Sequence, residues 1–132
     1  MTNQIIIGVG TNIEPQKHID MVLEIFHQEF EVIQIASWLN TAPVGIIDQP
    51  HYVNGAILIA TELDSIALKF KLIEIEDRCG RFRSGPKFGP RTMDLDILTW
   101  NLEVVDKDVY DRDFLQISIQ ELSPEINIKK EI

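Results

Sequence analysis

Basic residues are scarce in this chain of 132 residues, and their scarcity argues against two classes of partner. Lysine and arginine together number 12 against 21 aspartates and glutamates, which gives a formal net charge of -9. Such an excess of negative charge opposes general binding to nucleic-acid backbones or to anionic membranes. We therefore expect no nucleic-acid partner and no membrane partner, and any phosphate-bearing ligand must be met by a local group of cations.

Cysteine and long apolar runs are also rare. The one cysteine, Cys79, excludes an internal disulfide framework and fits a reducing compartment, where we expect its thiol to be structural. The first residues, MTNQIIIGVG, lack a basic segment and reach Gly8 after three isoleucines. They match neither a signal peptide nor a membrane span, so we expect a cytoplasmic protein.

No repeat or flexible linker divides the chain, and its hydrophobic content of 45% suffices for one core, so we expect a single domain over residues 1–132. Hydrophobic periodicity predicts the order strand, helix, strand, strand, helix, strand. This order is typical of an α+β, ferredoxin-like split βαβ sandwich, with an antiparallel sheet and helices on one face. The predicted segments are 4–10, a helix from Glu14, 31–39, 52–61, 65–79 and 92–102.

Two predicted details concern the second half of the chain. The helix over 65–79 has a broad apolar face that includes Ile66, Leu68, Phe70 and Leu72. The tail after Val104 has weak periodicity, with a short strand or helix near 117–122.

The stretch GPRTMDLDIL, residues 89–98, carries Asp94 and Asp96 two positions apart in an apolar run. Side chains alternate along a strand, so both carboxylates would project from one face and repel each other. A divalent cation relieves this repulsion, and Mg²⁺ is usually held by one or two carboxylates together with substrate phosphates. An arginine partner, or a plain solvated strand face, would also explain the pattern.

The segment RCGRFRSGPKFGPR, residues 78–91, concentrates positive charge beside those aspartates. Its glycines and prolines predict a loop, which could move and close over reactants. Arginine forks next to a metal-binding carboxylate pair suit a polyphosphate, although a basic loop that only aids solubility is the alternative. The segment holds five of the 12 basic residues, namely Arg78, Arg81, Arg83, Lys87 and Arg91.

A second pair, Tyr52 and Asn54, stands at the beginning of a predicted strand. An aromatic face and a carboxamide would point the same way and could bind a flat heteroaromatic ring. Packing and turn formation are the simpler explanation for the same two residues.

Five stretches occur in order between Ile5 and Leu102: GTNI, TAPVG, DQPHYVNGA, IEDRCGRFR and FGPRTMDLDIL. With them the chain resembles the 6-hydroxymethyl-7,8-dihydropterin pyrophosphokinase family, whose signature G-P-R-x-x-D-L-D-I the last stretch fits closely. The resemblance implies an enzyme of folate biosynthesis that transfers pyrophosphate from ATP to the pterin alcohol and releases AMP.

The resemblance also implies roles for individual residues. Asp94 and Asp96 would hold two Mg²⁺ ions, and Arg81 and Arg91 would act with them in catalysis. The residues implied at ATP are Glu76, Arg83, Lys87, Phe88, where the family usually has tryptophan, and Arg112. Those implied at the pterin are Thr41, Pro43, Val44, Tyr52, Asn54 and Phe114. No residue is assigned as a general base.

The chain departs from the family after NLEVV, where its tail is shorter and lacks a Pro-His pair. Weaker nucleotide binding is expected, since the tail also gains aspartates that would oppose a triphosphate if they face it. A non-catalytic pterin-binding or regulatory paralogue is the alternative function, and a ferredoxin-like nucleic-acid binder is disfavoured by the charge. The sequence leaves open whether the protein is a monomer or an oligomer. The added aspartates are Asp106, Asp108, Asp111 and Asp113.

Overall fold

A computed structural model describes residues 1–43, 45, 48–81, 83 and 90–128. Within these residues the strands are β1 (Asn3–Thr11), β2 (Glu31–Ile35), β3 (Leu39–Thr41), β4 (Tyr52–Thr61), β5 (Asp94–Trp100) and β6 (Glu103–Val104). The α-helices are α1 (Pro15–Glu29), α2 (Ser65–Arg78) and α3 (Asp113–Leu122), and a 3₁₀ helix spans Lys107–Tyr110. No helix in this described part of the chain is both long and apolar enough to span a bilayer.

The strands form one antiparallel sheet in the order β2-β4-β1-β5-β6, and β3 also pairs with β4. Strand β1 lies at the centre and carries Ile5, Ile6 and Ile7, all buried, because a central strand covered on both faces needs apolar residues in succession. The predicted α+β, ferredoxin-like fold is confirmed.

The two predicted helices share one face of the sheet, as expected. Val22 and Phe26 of α1 and Leu72 and Ile75 of α2 pack with alternate residues of the strands. The strand residues in this core include Ile5, Ile7, Val9, Ile57, Ile59 and Leu95. We call this side of the sheet the closed face.

The third helix, α3, covers part of the opposite face. Leu115, Ile119 and Leu122 of this helix pack against Ile6 and other strand residues, including Ala56, Leu58 and Leu98. The sequence predicts only a short element near 117–122, whereas α3 begins at Asp113. We call this side of the sheet the α3 face.

The prediction of a broad apolar face on α2 was wrong at two positions. Ile66 is 70% exposed and Phe70 is 69% exposed, whereas Leu68 and Leu72 are buried. Residues two apart on a helix lie about 200° apart, so the face that packs on the sheet cannot include both pairs.

Two interruptions shape the strands. The predicted strand over 31–39 is divided into β2 and β3, which pair with successive parts of the same edge of β4. In β5 a β-bulge places one extra residue, Leu98, between Ile97, opposite Ile7, and Thr99, opposite Ile6. A bulge of this kind changes the phase of side-chain alternation along the strand.

Candidate active site

The floor of the candidate site lies on the α3 face, where β1 carries glycine instead of a larger residue. Gly10 pairs with Asp94 on β5 and with Asn54 on β4, and Gly8 pairs with Asp96. A Cβ atom at Gly10 would lie 2.8 Å from the Asn54 Oδ1 atom, closer than such contacts allow. Both glycines line a cavity between β4 and β5, which we call the groove, and their missing side chains also leave room for Asn54 and Leu98.

The groove is the smaller of two cavities that meet at the two aspartates. The smaller, of about 230 Å³, lies between the beginning of β4 and the beginning of α3. The larger, of about 540 Å³, lies between β5, α2 and the segment that precedes the 3₁₀ helix. Both cavities are lined by Arg91, Asp94, Asp96 and Asp106, so these residues form the border between them.

The two aspartates share the α3 face of β5, as strand alternation predicts. Met93 and Leu95 are buried in the core of the closed face. Asp94 and Asp96 instead line both cavities, at the end of β5 where the glycine floor leaves them uncovered. The predicted convergence of the two carboxylates is confirmed.

The surroundings of Asp96 disfavour its charged form. Desolvation, followed by repulsion from Asp94, raises the pKa of Asp96 to about 7, and Asp106 and Glu76 add to the rise while Arg81 opposes it. The side chain is nevertheless exposed to the groove, so a cation can reach it. A divalent cation placed there would offset the repulsion that raises the pKa.

The end of α2 places Arg81 beside Asp94. Gly80 has a φ of 81°, and the Arg81 N–H bonds back to the Glu76 carbonyl at 3.1 Å, a Schellman termination that turns the chain toward β5. The Arg81 Nη1 atom lies 2.7 Å from Glu76 Oε2 and 3.1 Å from Asp94 Oδ1. The guanidinium therefore bridges the helix and the carboxylate pair.

Glu76 is a buried carboxylate that ties α2 to β5. Its exposure is 3%, and its Oε2 atom also accepts a hydrogen bond of 2.7 Å from the Leu95 N–H. Its Oε1 atom lies 2.8 Å from the Arg83 Nη2 atom, so both carboxylate oxygens have cationic partners. Hydrogen bonds to cations on both sides hold the carboxylate in place between α2 and β5.

Arg91 approaches the same aspartate from the other side. Its Nη1 atom lies 3.4 Å from Asp94 Oδ1, so Asp94 has two arginine partners. An arginine partner, the alternative to a divalent cation in the sequence analysis, is therefore present at Asp94. Besides desolvation, the largest cause, repulsion from Asp94, Asp106 and Glu76 still contributes to the raised pKa of Asp96.

The residues predicted to bind ATP divide between the two cavities. Glu76 and Arg83 line the larger cavity together with Arg81. Arg112 lines the smaller cavity instead, and its Nη2 atom lies 3.5 Å from the Asp108 Oδ2 atom. Lys87 and Phe88 lie outside the described residues.

Most residues predicted to bind the pterin line the smaller cavity, namely Thr41, Tyr52, Asn54 and Phe114. The Asn54 amide donates a hydrogen bond to the Thr41 hydroxyl, which orients it in the cavity. Burial raises the pKa of the Tyr52 hydroxyl, which favours its neutral form. Pro43 is partly buried in the segment after β3, and Val44 lies outside the described residues.

Of the four added aspartates in the tail, Asp106 and Asp108 face the cavities. The Asp106 carboxylate accepts a hydrogen bond of 2.9 Å from the Asp108 N–H and so caps the 3₁₀ helix. Asp111 and Asp113 are exposed and line neither cavity. The expected opposition to a triphosphate therefore applies to the first two.

Sequence reasoning missed the floor and one hydrogen-bonding residue, Asn12. Two glycines two apart in an otherwise β-branched strand, Gly8 and Gly10, were a usable sign of an open strand face. Asn12 is 3% exposed and forms hydrogen bonds with segments far away in the sequence. No local sequence pattern predicts such bonds.

The donor atoms present fit a magnesium ion that is held partly by its substrate. Among the residues described, no group of three or more His, Cys, Asp or Glu side chains is arranged to hold a metal ion. Asp94 and Asp96 together supply two carboxylates, the usual protein share of such a site, and phosphates and water complete it.

Comparisons with known proteins agree on one family. A profile of the family 7,8-dihydro-6-hydroxymethylpterin-pyrophosphokinase (HPPK) matches residues 6–124. The chain is 30% identical over 131 residues to a protein of Haemophilus influenzae, a match that covers 91% of this chain and 81% of that protein. It is 31% identical over 137 residues to one of Bacillus subtilis, covering 96% and 81%.

A protein of Pseudomonas aeruginosa is 33% identical over 109 residues, a match that covers 80% of this chain and 67% of that protein. All three relatives are named 2-amino-4-hydroxy-6-hydroxymethyldihydropteridine pyrophosphokinase.

Proposed function

The chain belongs to the 7,8-dihydro-6-hydroxymethylpterin-pyrophosphokinase family, and from this premise we propose that it transfers pyrophosphate from ATP to 6-hydroxymethyl-7,8-dihydropterin. The products are AMP and the pterin diphosphate of folate biosynthesis. One observation supports the proposal above the rest: Asp94 and Asp96 stand at the border of two cavities. A carboxylate pair at such a border can serve a reaction between two substrates.

The pterin occupies the smaller cavity in this proposal. Tyr52 and Phe114 offer ring faces for stacking, and the Asn54 amide offers one donor and one acceptor to the edge of the pterin. Thr41 and the segment 43–44 complete this side. The glycine floor allows a flat ring to approach the backbone of β1.

ATP occupies the larger cavity, with its triphosphate directed toward the border. Arg81, Arg83 and Arg91 would then exchange part of their carboxylate contacts for phosphate oxygens, which guanidinium groups bind in the same bidentate manner. Lys87 and Phe88 remain proposed ATP contacts. Arg112 remains one too, although it would have to leave Asp108 to reach the nucleotide.

Asp94 and Asp96 would hold two Mg²⁺ ions between the substrates. When bound, the ions neutralise charge on the transferring group and help to orient the phosphates. The arginines supply further positive charge at the same place.

The proposed reaction needs little covalent chemistry from the protein. The pterin hydroxyl oxygen attacks the β-phosphorus of ATP in line, and the bond from that phosphorus to the oxygen bridging the α-phosphorus breaks. AMP leaves with that oxygen, and the hydroxyl proton is released to solvent. The side chains of the two cavities contribute mainly by holding both reactants in line.

Two aspartates after β6 should weaken nucleotide binding. Asp106 lines both cavities and Asp108 the smaller one, and their negative charge opposes a triphosphate. We therefore expect that the activity requires a high concentration of Mg-ATP.

The decisive assay follows AMP and pterin diphosphate together, with purified protein, Mg-ATP and 6-hydroxymethyl-7,8-dihydropterin. Asp96→Asn should lower the rate at least about a hundredfold, since it removes a charge that acts on the transferring group. Asp111→Asn is the matched control, because Asp111 is exposed and lines neither cavity. If the parent releases no AMP above a blank, the proposed activity is refuted.

A further inference from the structure

Asn12 joins two segments that lie on different sides of the candidate active site. It follows β1 directly and is 3% exposed. Its Oδ1 atom accepts a hydrogen bond of 2.8 Å from the Arg91 N–H. Its Nδ2 atom donates bonds of 2.9 Å to Gln49 Oε1 and 3.0 Å to the Pro50 carbonyl. The oxygen of the Asn12 amide thus bonds to the segment at Arg91, and its nitrogen bonds to the segment at Gln49 and Pro50.

Each of these segments leads into a different part of the site. Pro50 lies just before β4, which begins with Tyr52 and Asn54 in the smaller cavity. Arg91 lies just before β5 and belongs to the border shared with the larger cavity. Asn12 itself lines neither cavity, so direct contact with a substrate is not its role.

We propose that Asn12 is a positioning residue that couples occupancy of the two cavities, an inference that rests on the proposed function. A buried amide has no water to replace a lost partner, so movement of either segment away from Asn12 is costly. The two segments are therefore held in register. A ligand that fixes the segment before β4 favours the position of Arg91 that the second ligand needs, and the reverse holds by linkage.

One substitution should remove the hydrogen bonds of Asn12 to the segment before β4 and keep its bond to Arg91. Asn12→Asp keeps an oxygen for the Arg91 N–H but replaces the donor toward Gln49 and Pro50 with a second oxygen, which repels the Pro50 carbonyl. Arg91 remains attached to β1 because its carbonyl also accepts a bond of 3.1 Å from the Asn12 backbone N–H. The variant should therefore loosen the segment before β4 and leave the Arg91 side in place.

Asn101 provides a matched control at the other end of β1. Its Oδ1 atom accepts a hydrogen bond of 3.0 Å from the Gln4 N–H, and its Nδ2 atom donates one of 3.1 Å to Asn3 Oδ1. Asn101→Asp makes the same change of charge and of hydrogen-bonding groups, far from both cavities.

The measurement is a binding ratio that needs no turnover. Calorimetry gives the Kd of 6-hydroxymethylpterin alone and with saturating Mg²⁺ and α,β-methylene-ATP, which cannot be cleaved at the bond that the reaction breaks. We expect a ratio of the two Kd values well above one for the parent and for Asn101→Asp. Asn12→Asp should reduce that ratio about fivefold or more, within the usual range of coupling between sites.

A purely structural role predicts a different result. If folded Asn12→Asp weakens one or both ligands while the ratio stays at the parental value, the inference is overturned. Gln49→Ala removes one of the two loop partners and leaves Asn12 intact, so it should lower the ratio by a smaller factor. Should circular dichroism show that Asn12→Asp does not fold, Gln49→Ala decides alone, and an unchanged ratio overturns the inference.

The same experiment keeps this inference apart from the proposed function. If the parent binds both probes with a ratio of one, the coupling is refuted while the proposed reaction stands. If the parent binds neither probe, the proposed function fails and the coupling fails with it.

Discussion

The closed face and the α3 face of the sheet are made by the same strands but serve different ends. On the closed face, Ile5, Ile7 and Val9 of β1 are all buried under α1 and α2. On the α3 face, β1 supplies Ile6 beneath α3 and then two glycines that line the smaller cavity. The candidate site thus lies where large side chains end on one face only. Alternate residues of a single strand can therefore form a core on one face of the sheet and a cleft on the other.

The largest expected effect comes from breaking the closed face. Phe26 is fully buried there, and Phe26→Ala should reduce the free energy of unfolding by about 3–5 kcal/mol through lost burial and a cavity. Denaturant unfolding measures the change. At low temperature, where the variant remains folded, Mg-ATP affinity should match the parent, and a loss of affinity in folded protein would contradict the separation of the two faces.

Glu76 connects the two regions, and its neutral variant tests that connection. Glu76→Gln should reduce the free energy of unfolding by about 1.5–3 kcal/mol, because the amide nitrogen cannot accept the hydrogen bond that one carboxylate oxygen accepts from an arginine. Unlike Phe26→Ala, it should also lower the rate of AMP release, since Arg81 loses its anchor beside Asp94. Glu62→Gln, the same chemical change at an exposed position, is the control. A variant that loses stability alone would show that Glu76 serves only the fold.

Filling the open face should affect binding more than stability. Gly10→Ala places a methyl group against the Asn54 amide, so we expect the Kd of the pterin to rise about tenfold, which corresponds to about 1.4 kcal/mol. The matched change Gly8→Ala would place a methyl group 3.1 Å from the buried Leu98 side chain instead of the Asn54 amide, and should raise the pterin Kd less. Calorimetry with 6-hydroxymethylpterin compares the two, and equal effects would argue against the groove as the pterin site.

The smallest effect concerns the rim of the closed face, where Glu29 of α1 meets Lys71 and Arg78 of α2. Hydrogen bonds from Lys71 and then Arg78 hold the pKa of Glu29 below its ordinary value. At pH values above the ordinary carboxyl pKa, the ionised Glu29 therefore stabilises the folded state. This stabilisation is lost as the pH falls through the lowered pKa of the folded protein.

Glu29→Gln should remove that part of the pH dependence. Unfolding free energies of the parent and the variant should differ at neutral pH and converge under acidic conditions. An exposed carboxylate variant such as Glu62→Gln should keep the parental pH profile. A constant difference between parent and Glu29→Gln at every pH would contradict this assignment.

Local periodicity was enough to predict the order of the strands, and it also placed Asp94 and Asp96 on one face. Both follow from the alternation of side chains along each strand. It was not enough for α3, where Phe114 and Ile117 interrupt the spacing of Leu115, Ile119 and Leu122 and obscure the buried stripe. The exposure of Ile66 and Phe70 was likewise missed because an apolar residue on a helix need not face the core.

Local sequence patterns could not predict hydrogen bonds between residues that are far apart in the sequence. The bond between Asn12 and Arg91 joins residues 79 positions apart, and the one between Glu76 and the Leu95 N–H joins residues 19 apart. The position of Arg112 in the smaller cavity depends on the path of the tail after β6. Such contacts are set by how elements pack, which spacing within one element does not specify.

The extra residue in β5 changes which face of the sheet the later residues of the strand occupy. Trp100 lies opposite Ile5 and packs in the closed core, although in an unbroken strand it would share a side with Asp94 and Asp96. If β5 paired with β1 without the bulge but kept Leu98, either Trp100 would turn to the α3 face or Asp94 and Asp96 would turn into the closed core. Leaving Leu98 unpaired therefore lets Trp100 pack in the closed core while Asp94 and Asp96 line the cavities on the other face.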